Sequence, residues 1–437
     1  MSPGVSRMRV KRSGSEFNIQ NTPQRHWGFA LAAAALVALA FIAEPGLALE
    51  DGRIGVLYIG CIARSRPFWL MRSDPLFRMG FVQATLRDWA SVGPMPALGE
   101  AQVHRMVRMQ MPRTYADLVA DYDVIALHNG NVLAVALHIQ KLAQGVLEGG
   151  LGLLMSGGWE SFGGTGSSYP PWGETAVGKL LPTEDVVGTW VPSGRLGIDE
   201  PRHEFISSLP WDLKDPDLAN EVKWDHNLVT LKAGAEQLAH ATYSGRDDPL
   251  MITWSLDNDA RVFALTSEIH RFFWQGGDYR NVWKYAYDFG CNLMIYLDNR
   301  AVPQDVGLVH EARAKMFEVE TRRSLLVALL DFCESFGAST RSITSRFEEI
   351  DLVLAEAMPQ YLELQFEDML ESYRVADGML AQAEEEAVRL KNRTLLWVYV
   401  IEWLAVTGTS MVCGFLLWSL MIRRRLYREV RTTRFAM

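Results

Sequence analysis

Apolar positions follow three regimes along this chain. Between residues 53 and 299, short apolar runs ending in glycine or polar residues alternate with stretches of helical spacing. Ile54, Val56, Leu57, Tyr58 and Ile59 predict a strand closing at Gly60. Residues 76–90 set Phe77, Phe81, Val82, Leu86 and Trp89 on or near one helical face, which predicts a helix. The alternation continues through 103–109, a short helix over 115–120, a strand over 124–127 and a helix over about 133–147. The apolar run 151–155 predicts a buried central strand, and the glycine-rich tail to Gly166 can turn sharply but cannot prolong it. Past a proline-punctuated excursion, strands are predicted at 186–191, 228–231, 250–254 and 261–266, then an aromatic helix over about 279–297. Such alternation through short connections predicts a parallel sheet covered on both faces.

After Pro303 the strand signals stop. Leu325, Leu326, Leu329, Leu330, Cys333 and Phe336 recur at helical spacing until Gly337. A second helix carries Ile343, Phe347, Ile350 and Leu354 up to Pro359, and a third carries Leu362, Phe366, Met369, Leu370 and Tyr373. Their apolar stripes pack either into a helical hairpin or bundle or onto a partner helix. Residues 395–422 then form a run whose only charge is Glu402, enough for about 42 Å of helix and long enough to cross a bilayer. Trp397, Tyr399 and Trp403 mark one interface of this span, Trp418 and Tyr427 the other. Arginines 423, 424, 425, 428, 431 and 434 follow and orient the carboxyl terminus to the cytoplasm. At the other end, a leader with Arg7, Arg9, Lys11, Arg12 and Arg25 precedes an uncharged run over 28–43. That run is either a signal peptide cut after about Ala48 or an uncleaved anchor. Both readings put the α/β region outside the cytoplasm.

The expected units are therefore a leader (1–49), an α/β domain (50–302), a helical stalk (303–394), a membrane helix (395–422) and a basic tail (423–437). With 437 residues, 49% hydrophobic and 22% charged, the chain has room for two or three structural units. A net charge of -9, with no basic stripe in the middle of the chain, argues against a nucleic-acid partner. Cys61, Cys291, Cys333 and Cys413 are scattered and indicate neither a zinc ribbon nor a disulfide framework.

Candidate chemistry collects at the predicted carboxyl ends of the strands, where open α/β sheets leave a crevice. Ser156 is either a nucleophile or the start of a tight strand-to-loop turn; Leu154 stands where a G-x-S-x-G elbow needs its first glycine. His270 is the candidate base, or else packs among Phe272, Phe273 and Trp274. His128, Asn129, Gly157, Gly158, Glu160 and Glu268 are candidate ligand contacts, with the Asn-Gly turn and solvated strand-end carboxylates as the plainer alternatives. No HxH or HExxH spacing supports a metal site. Neither GxGxxG nor Gly-Lys-Ser/Thr occurs among the glycines, so no cofactor is expected. Within the membrane helix, Ser410 and Gly414, preceded by Gly408, offer a small-residue face for a homo-oligomer or a membrane-complex partner, the other reading being indifferent contact with lipid.

The segments Leu154-Met155-Ser156-Gly157-Gly158, Ser161-Phe162-Gly163, Lys232-Ala233-Gly234-Ala235 and Asp248-Pro249-Leu250 carry a resemblance. So do His203 near Leu209-Pro210-Trp211, and the run from Arg261 to Glu268 followed by Trp274. Over roughly 53–299 the chain resembles the membrane-associated glutamine amidotransferase-like family, within the class I glutamine amidotransferase-like, flavodoxin-like superfamily. The resemblance implies a flavodoxin-like, doubly wound, mainly parallel sheet. Active amidotransferases keep a cysteine at the elbow after the central strand; here that position falls on Ser156, or on Gly157 if the register slips by one. Glutamine hydrolysis needs an activated thiolate, so glutaminase activity is not expected. The expected role is non-catalytic ligand binding or assembly at the cell envelope. The alternatives are a hydrolase or carbohydrate-active enzyme using Ser156 or His270, and a structural subunit of a membrane complex.

Overall fold

The computed structural model describes residues 52–62, 66–86, 99–164, 170–192, 194–211, 225–269 and 283–433. The chain divides into Met1–Asp51 and Gly52–Met437, and all described residues belong to the second unit. The leader, His270 and the aromatic cluster beside it lie outside the described residues.

The α/β region runs β1 (Ile54–Gly60), α1 (Arg66–Met71), β2 (Phe77–Gln83), α2 (Glu100–Gln110), α3 (Tyr115–Asp121), β3 (Val124–His128), α4 (Val132–Val135), α5 (Ile139–Leu147) and β4 (Gly152–Ser156). It continues through β5 (Thr183–Val191), β6 (Arg195–Ile198), α6 (Glu204–Ser207), β7 (His226–Leu231), β8 (Glu236–Tyr243), β9 (Arg246–Ser255), β10 (Arg261–Leu265) and α7 (Ala286–Leu297). Eight strands form one sheet in the order β2-β1-β3-β4-β10-β9-β8-β6, while β5 and β7 pair separately. The pairs from β2 to β10 are parallel and those from β10 to β6 antiparallel, so the sheet is largely parallel with an antiparallel flank.

Buried strands with both faces covered lack a polar face, and β1, β3 and β4 are buried at every position. Side-chain alternation divides them between two cores. Leu57, Ile59, Ile125, Leu127, Leu153 and Met155 pack with α2, α3 and α5, whereas Ile54, Val56, Tyr58, Ala126 and Leu154 pack with α1, α7 and the helices beyond.

Two expectations are corrected. Within the predicted helix 76–90, Phe77–Gln83 form strand β2, paired in parallel with β1 along its whole length, and 87–90 lie outside the described residues. A spacing of four fits both periods: Phe77 and Phe81 share a strand face with Met79, while Val82 turns to the other core. The expected strands at 186–191 and 228–231 exist within β5 and β7 but leave the main sheet, and the short edge strand β6 and its neighbour β8 join it instead.

The carboxyl-terminal helices are α8 (Val306–Ser335), α9 (Arg341–Leu362) and α10 (Phe366–Thr433). The α8 end closes on Gly337, whose φ of 79° lets its N–H reach Glu334 O at 2.8 Å and the Ala338 N–H reach Cys333 O at 3.2 Å. Pro359 sits inside α9, which runs on to Leu362. The third stalk helix and the apolar stretch are one element: α10 is helical from Phe366 to Thr433. The three helices form a bundle whose core is continuous with one face of the sheet, from Phe289 and Leu293 of α7 through Met316 and Ile350 to Ala387.

A buried polar cluster joins the two parts. Arg313 of α8 donates to Asp288 Oδ1 at 2.7 Å and to Asn292 of α7, and Tyr361 of α9 donates to both oxygens of Asp74 at 2.9 and 2.8 Å. Tyr287 adds a third bond to Asp74 at 2.8 Å. Burial raises the Asp74 carboxyl above its ordinary value, against the lowering by Arg313 and the hydrogen bonds.

Among the described residues one helix is long and apolar enough to cross a membrane, and no other described residue buries its apolar stretch. Leu396, Trp403, Val406, Met411 and Leu417 all stand exposed along it.

Candidate functional site

The carboxyl ends of the parallel strands form one row. Gly60, His128, Ser156 and Leu265 are successive cross-strand partners on β1, β3, β4 and β10. Sequence order reverses between β1 and β3, with β2 on one side and β4 on the other, and this is where an open sheet leaves its crevice.

Ser156 is fully buried. Its Oγ lies 3.0 Å from His128 Nδ1, accepts the Ile269 N–H at 2.8 Å and lies 3.1 Å from the Ser267 carbonyl. A carbonyl can only accept, so Ser156 gives its one proton to Ser267 O and uses its lone pairs for the Ile269 N–H and, in the tautomer protonated at Nδ1, for His128. Ser156 is also missing from the positive-φ residues, unlike Asn129 and Phe162 at φ 50°. The exposed, strained elbow that presents a nucleophile is not built here.

The turn after β4 is held in place by neighbouring strands. A Cβ on Gly157 would stand 1.9 Å from Thr266 O, and one on Gly158, at φ 145°, would stand 2.6 Å from the Asn129 side chain. Gly157 N–H donates to Leu265 O at 2.7 Å and Gly158 N–H to Asn227 Oδ1 at 2.9 Å. These glycines answer to close packing between strand ends, and both N–H groups are engaged within the protein.

Both candidate carboxylates are buried, not solvated. Glu160 accepts from Thr85 Oγ1 at 2.5 Å, Leu86 N at 3.2 Å and Asn131 Nδ2 at 3.3 Å. Asn129 bridges the two acids, donating through Nδ2 to Glu268 Oε1 at 3.4 Å and accepting the Glu160 N–H on Oδ1 at 2.9 Å. Ser161 closes the ring, taking the Asn129 N–H at 3.0 Å and donating to Ser156 O at 2.7 Å. The indole N–H of buried Trp172 reaches the carbonyls of Gly130 and Glu160 at 2.9 and 3.0 Å. His128, Asn129, Ser156, Gly157, Gly158, Glu160 and Glu268 are thus brought into one hydrogen-bonded floor; His270 lies outside the described residues.

Several members were not among the candidate site residues read from the sequence. Asn131, Ser161 and Asn227 tie the strand ends together, and His226 of β7 bridges to Ser267. His226 Nε2 lies 3.0 Å from Asp248 Oδ2, and Arg246 grips the same carboxylate at 2.5 and 3.0 Å. Burial raises the Asp248 carboxyl, but the bonds from Arg246 and His226 outweigh it and leave the group below its ordinary value.

The cysteines of the α/β region are both buried. Cys61 follows β1 at this edge, its N–H bonded to His128 O at 3.0 Å, with its side chain buried. Cys291 lies on α7, toward Asp74 and the amino-terminal edge of the sheet, and burial drives its thiol well above its ordinary value. Among the described residues no group of three or more His, Cys, Asp or Glu is arranged to hold a metal ion. In α10, Gly408 and Gly414 face open space and Ser410 Oγ donates to Val406 O at 2.8 Å. No protein-family model and no curated protein sequence matches this chain.

Proposed function

We propose that this protein is a non-catalytic ligand-binding or assembly domain of the cell envelope, of the glutamine amidotransferase-like type and anchored through residues 395–422. The observation that carries the reading is Ser156: the strand-end position where the chemistry needs an accessible nucleophile holds a fully buried hydroxyl with its hydrogen-bonding capacity in use. A thiolate or alkoxide cannot attack from such a position without dismantling the floor of the crevice.

The strand order β2-β1-β3-β4 followed by β10 supports a flavodoxin-like arrangement, since that fold runs 2-1-3-4-5 and binds at the β1/β3 switch point. Under this reading the ligand seat lies above His128 and Asn129, with Glu160 and Glu268 as the acidic floor. The arginines after the apolar stretch support a cytoplasmic tail, with the sheet and bundle on the opposite side. The small face at Ser410 and Gly414 supports association within the membrane.

The full-length protein in detergent, assayed with glutamine and a panel of ester, amide and glycosidic substrates, is expected to give no turnover, and Ser156→Ala the same. Turnover by the wild type that disappears in Ser156→Ala would establish the hydrolase alternative instead.

A further inference from the structure

We propose that the α8–α9 turn is a second membrane contact, which together with the start of the apolar stretch of α10 seats the headgroup and upper acyl chain of a phospholipid. The inference rests on the reading of 395–422 as a membrane span.

A cleft of about 340 Å³ opens between the turn and α10, lined among others by Phe336, Ser339, Arg393, Thr394, Trp397 and Ile401. Its chemistry is graded along the helix. Exposed Arg393 stands one turn above Trp397, and Ile401 one turn below it, which places a cation over an aromatic and an aliphatic side chain. Among the described residues lining the cleft none is acidic. A phosphate above an acyl chain matches that order.

The turn itself presents apolar surface. Phe336 is 49% exposed and packs edge-on against exposed Phe332, ring centroids 5.0 Å apart. The left-handed Gly337 closure ends α8 with Phe336 as its cap. Higher on the bundle the surface is ion-paired instead: Arg322 reaches Asp377 and Glu384, and Arg323 reaches Asp351. Two adjacent phenyl rings at the tip of such a bundle form an apolar spot that an acyl chain can cover.

Depth supplies the occupant. Counting about 20 residues, or about 30 Å, back from Arg423 sets the upper hydrocarbon boundary near Trp403. The headgroup layer above it takes in Ile401 and Trp397, which line the cleft beside the turn. The cleft is therefore continuous with the lipid-facing surface of α10, and Glu402 falls in the same polar layer.

The test uses the full chain in phosphatidylcholine–phosphatidylglycerol vesicles, with an environment-sensitive fluorophore on one cysteine at a time and bromine at shallow or deep acyl positions. Labels go on Phe336→Cys and Leu325→Cys in a Cys413→Ser background, and on native Cys413 in the wild type. The label at 336 is expected to shift to the blue and lose fluorescence to shallow bromine, more weakly with Arg393→Glu added. The label at exposed position 325, about 16 Å up α8, stays in water and keeps its emission. Cys413 loses fluorescence to deep bromine. A 336 label as unquenched as the 325 label, with Cys413 still quenched, overturns the lipid seat and leaves the span intact; an unquenched Cys413 overturns the span as well. A blue shift at 336 that bromine does not quench, and that vanishes as protein is diluted in lipid, assigns the turn to a second copy and also overturns the seat.

Discussion

His128 and Ser156 are direct cross-strand partners at the ends of β3 and β4, with Nδ1 of one 3.0 Å from Oγ of the other and both side chains buried. The pair has the composition of a nucleophile and its base, but its surroundings are those of a structural bond.

Ser156→Ala is accordingly expected to act on stability. It leaves the buried Ile269 N–H without its acceptor and removes the contacts to His128 and Ser267, a loss of about 1–3 kcal/mol. Chemical unfolding of the detergent-solubilised protein, followed by near-UV circular dichroism, reads the change. A variant as stable as the wild type would contradict the assignment.

Two glycine substitutions should move in opposite directions. Gly157→Ala drives a methyl into the Thr266 carbonyl and should destabilise by about 3 kcal/mol. Gly378→Ala, in the interior of α10 with open space at its Cβ position, should stabilise by about 0.5–1 kcal/mol. Thermal unfolding of both variants checks the pair.

Asp298 gives a pH signature. Burial raises its carboxyl from 3.8 to about 6, against the lowering by Arg300, whose Nε is 2.5 Å away. The raised folded-state value means that the native protein holds this proton more tightly than the unfolded chain. Stability from this group is therefore greatest below about pH 4 and falls as pH rises to about 6, by on the order of 2–3 kcal/mol. Asp298→Asn should remove that part of the slope in denaturant midpoints measured from pH 4 to 7.

Arg313→Met should separate the bundle from the sheet. It leaves Asp288 with the exposed-side partner His310 and without its buried one, a loss of about 3–5 kcal/mol. Adding Asp288→Asn should recover part of it, because the orphaned charge goes too. Hydrogen exchange across α7 and α8 distinguishes local undocking from global unfolding.

The central strands were legible because burial on both faces leaves continuous apolar runs, as in β3 and β4. Strand β2 was not, since the Phe77 to Phe81 step belongs to both periods. Strand β6 escaped notice because Arg195–Ile198 is four residues long and mostly half-exposed, with no face to alternate. At the site, strand ends pointed to His128, Ser156 and Glu268, but their contacts depend on which strands are neighbours, and that order is not written in local pattern. The His226–Asp248 pair is 22 residues apart with no motif, so only the fold reveals it. Burial of Glu160 and Glu268 was equally hidden, because the partners that make it tolerable come from two separate loops, after β2 and after β3.

The unbroken course of α10 has a mechanical consequence. With no joint between Phe366 and the residues that follow Leu395, about 44 Å of shaft separates the foot of the sheet from the oily segment. A shaft braced by two further helices transmits tilt and twist instead of absorbing them. Under the proposed anchoring, a ligand above His128 would be met at a set standoff from the bilayer, and rotation of the apolar segment against a neighbour would be felt there.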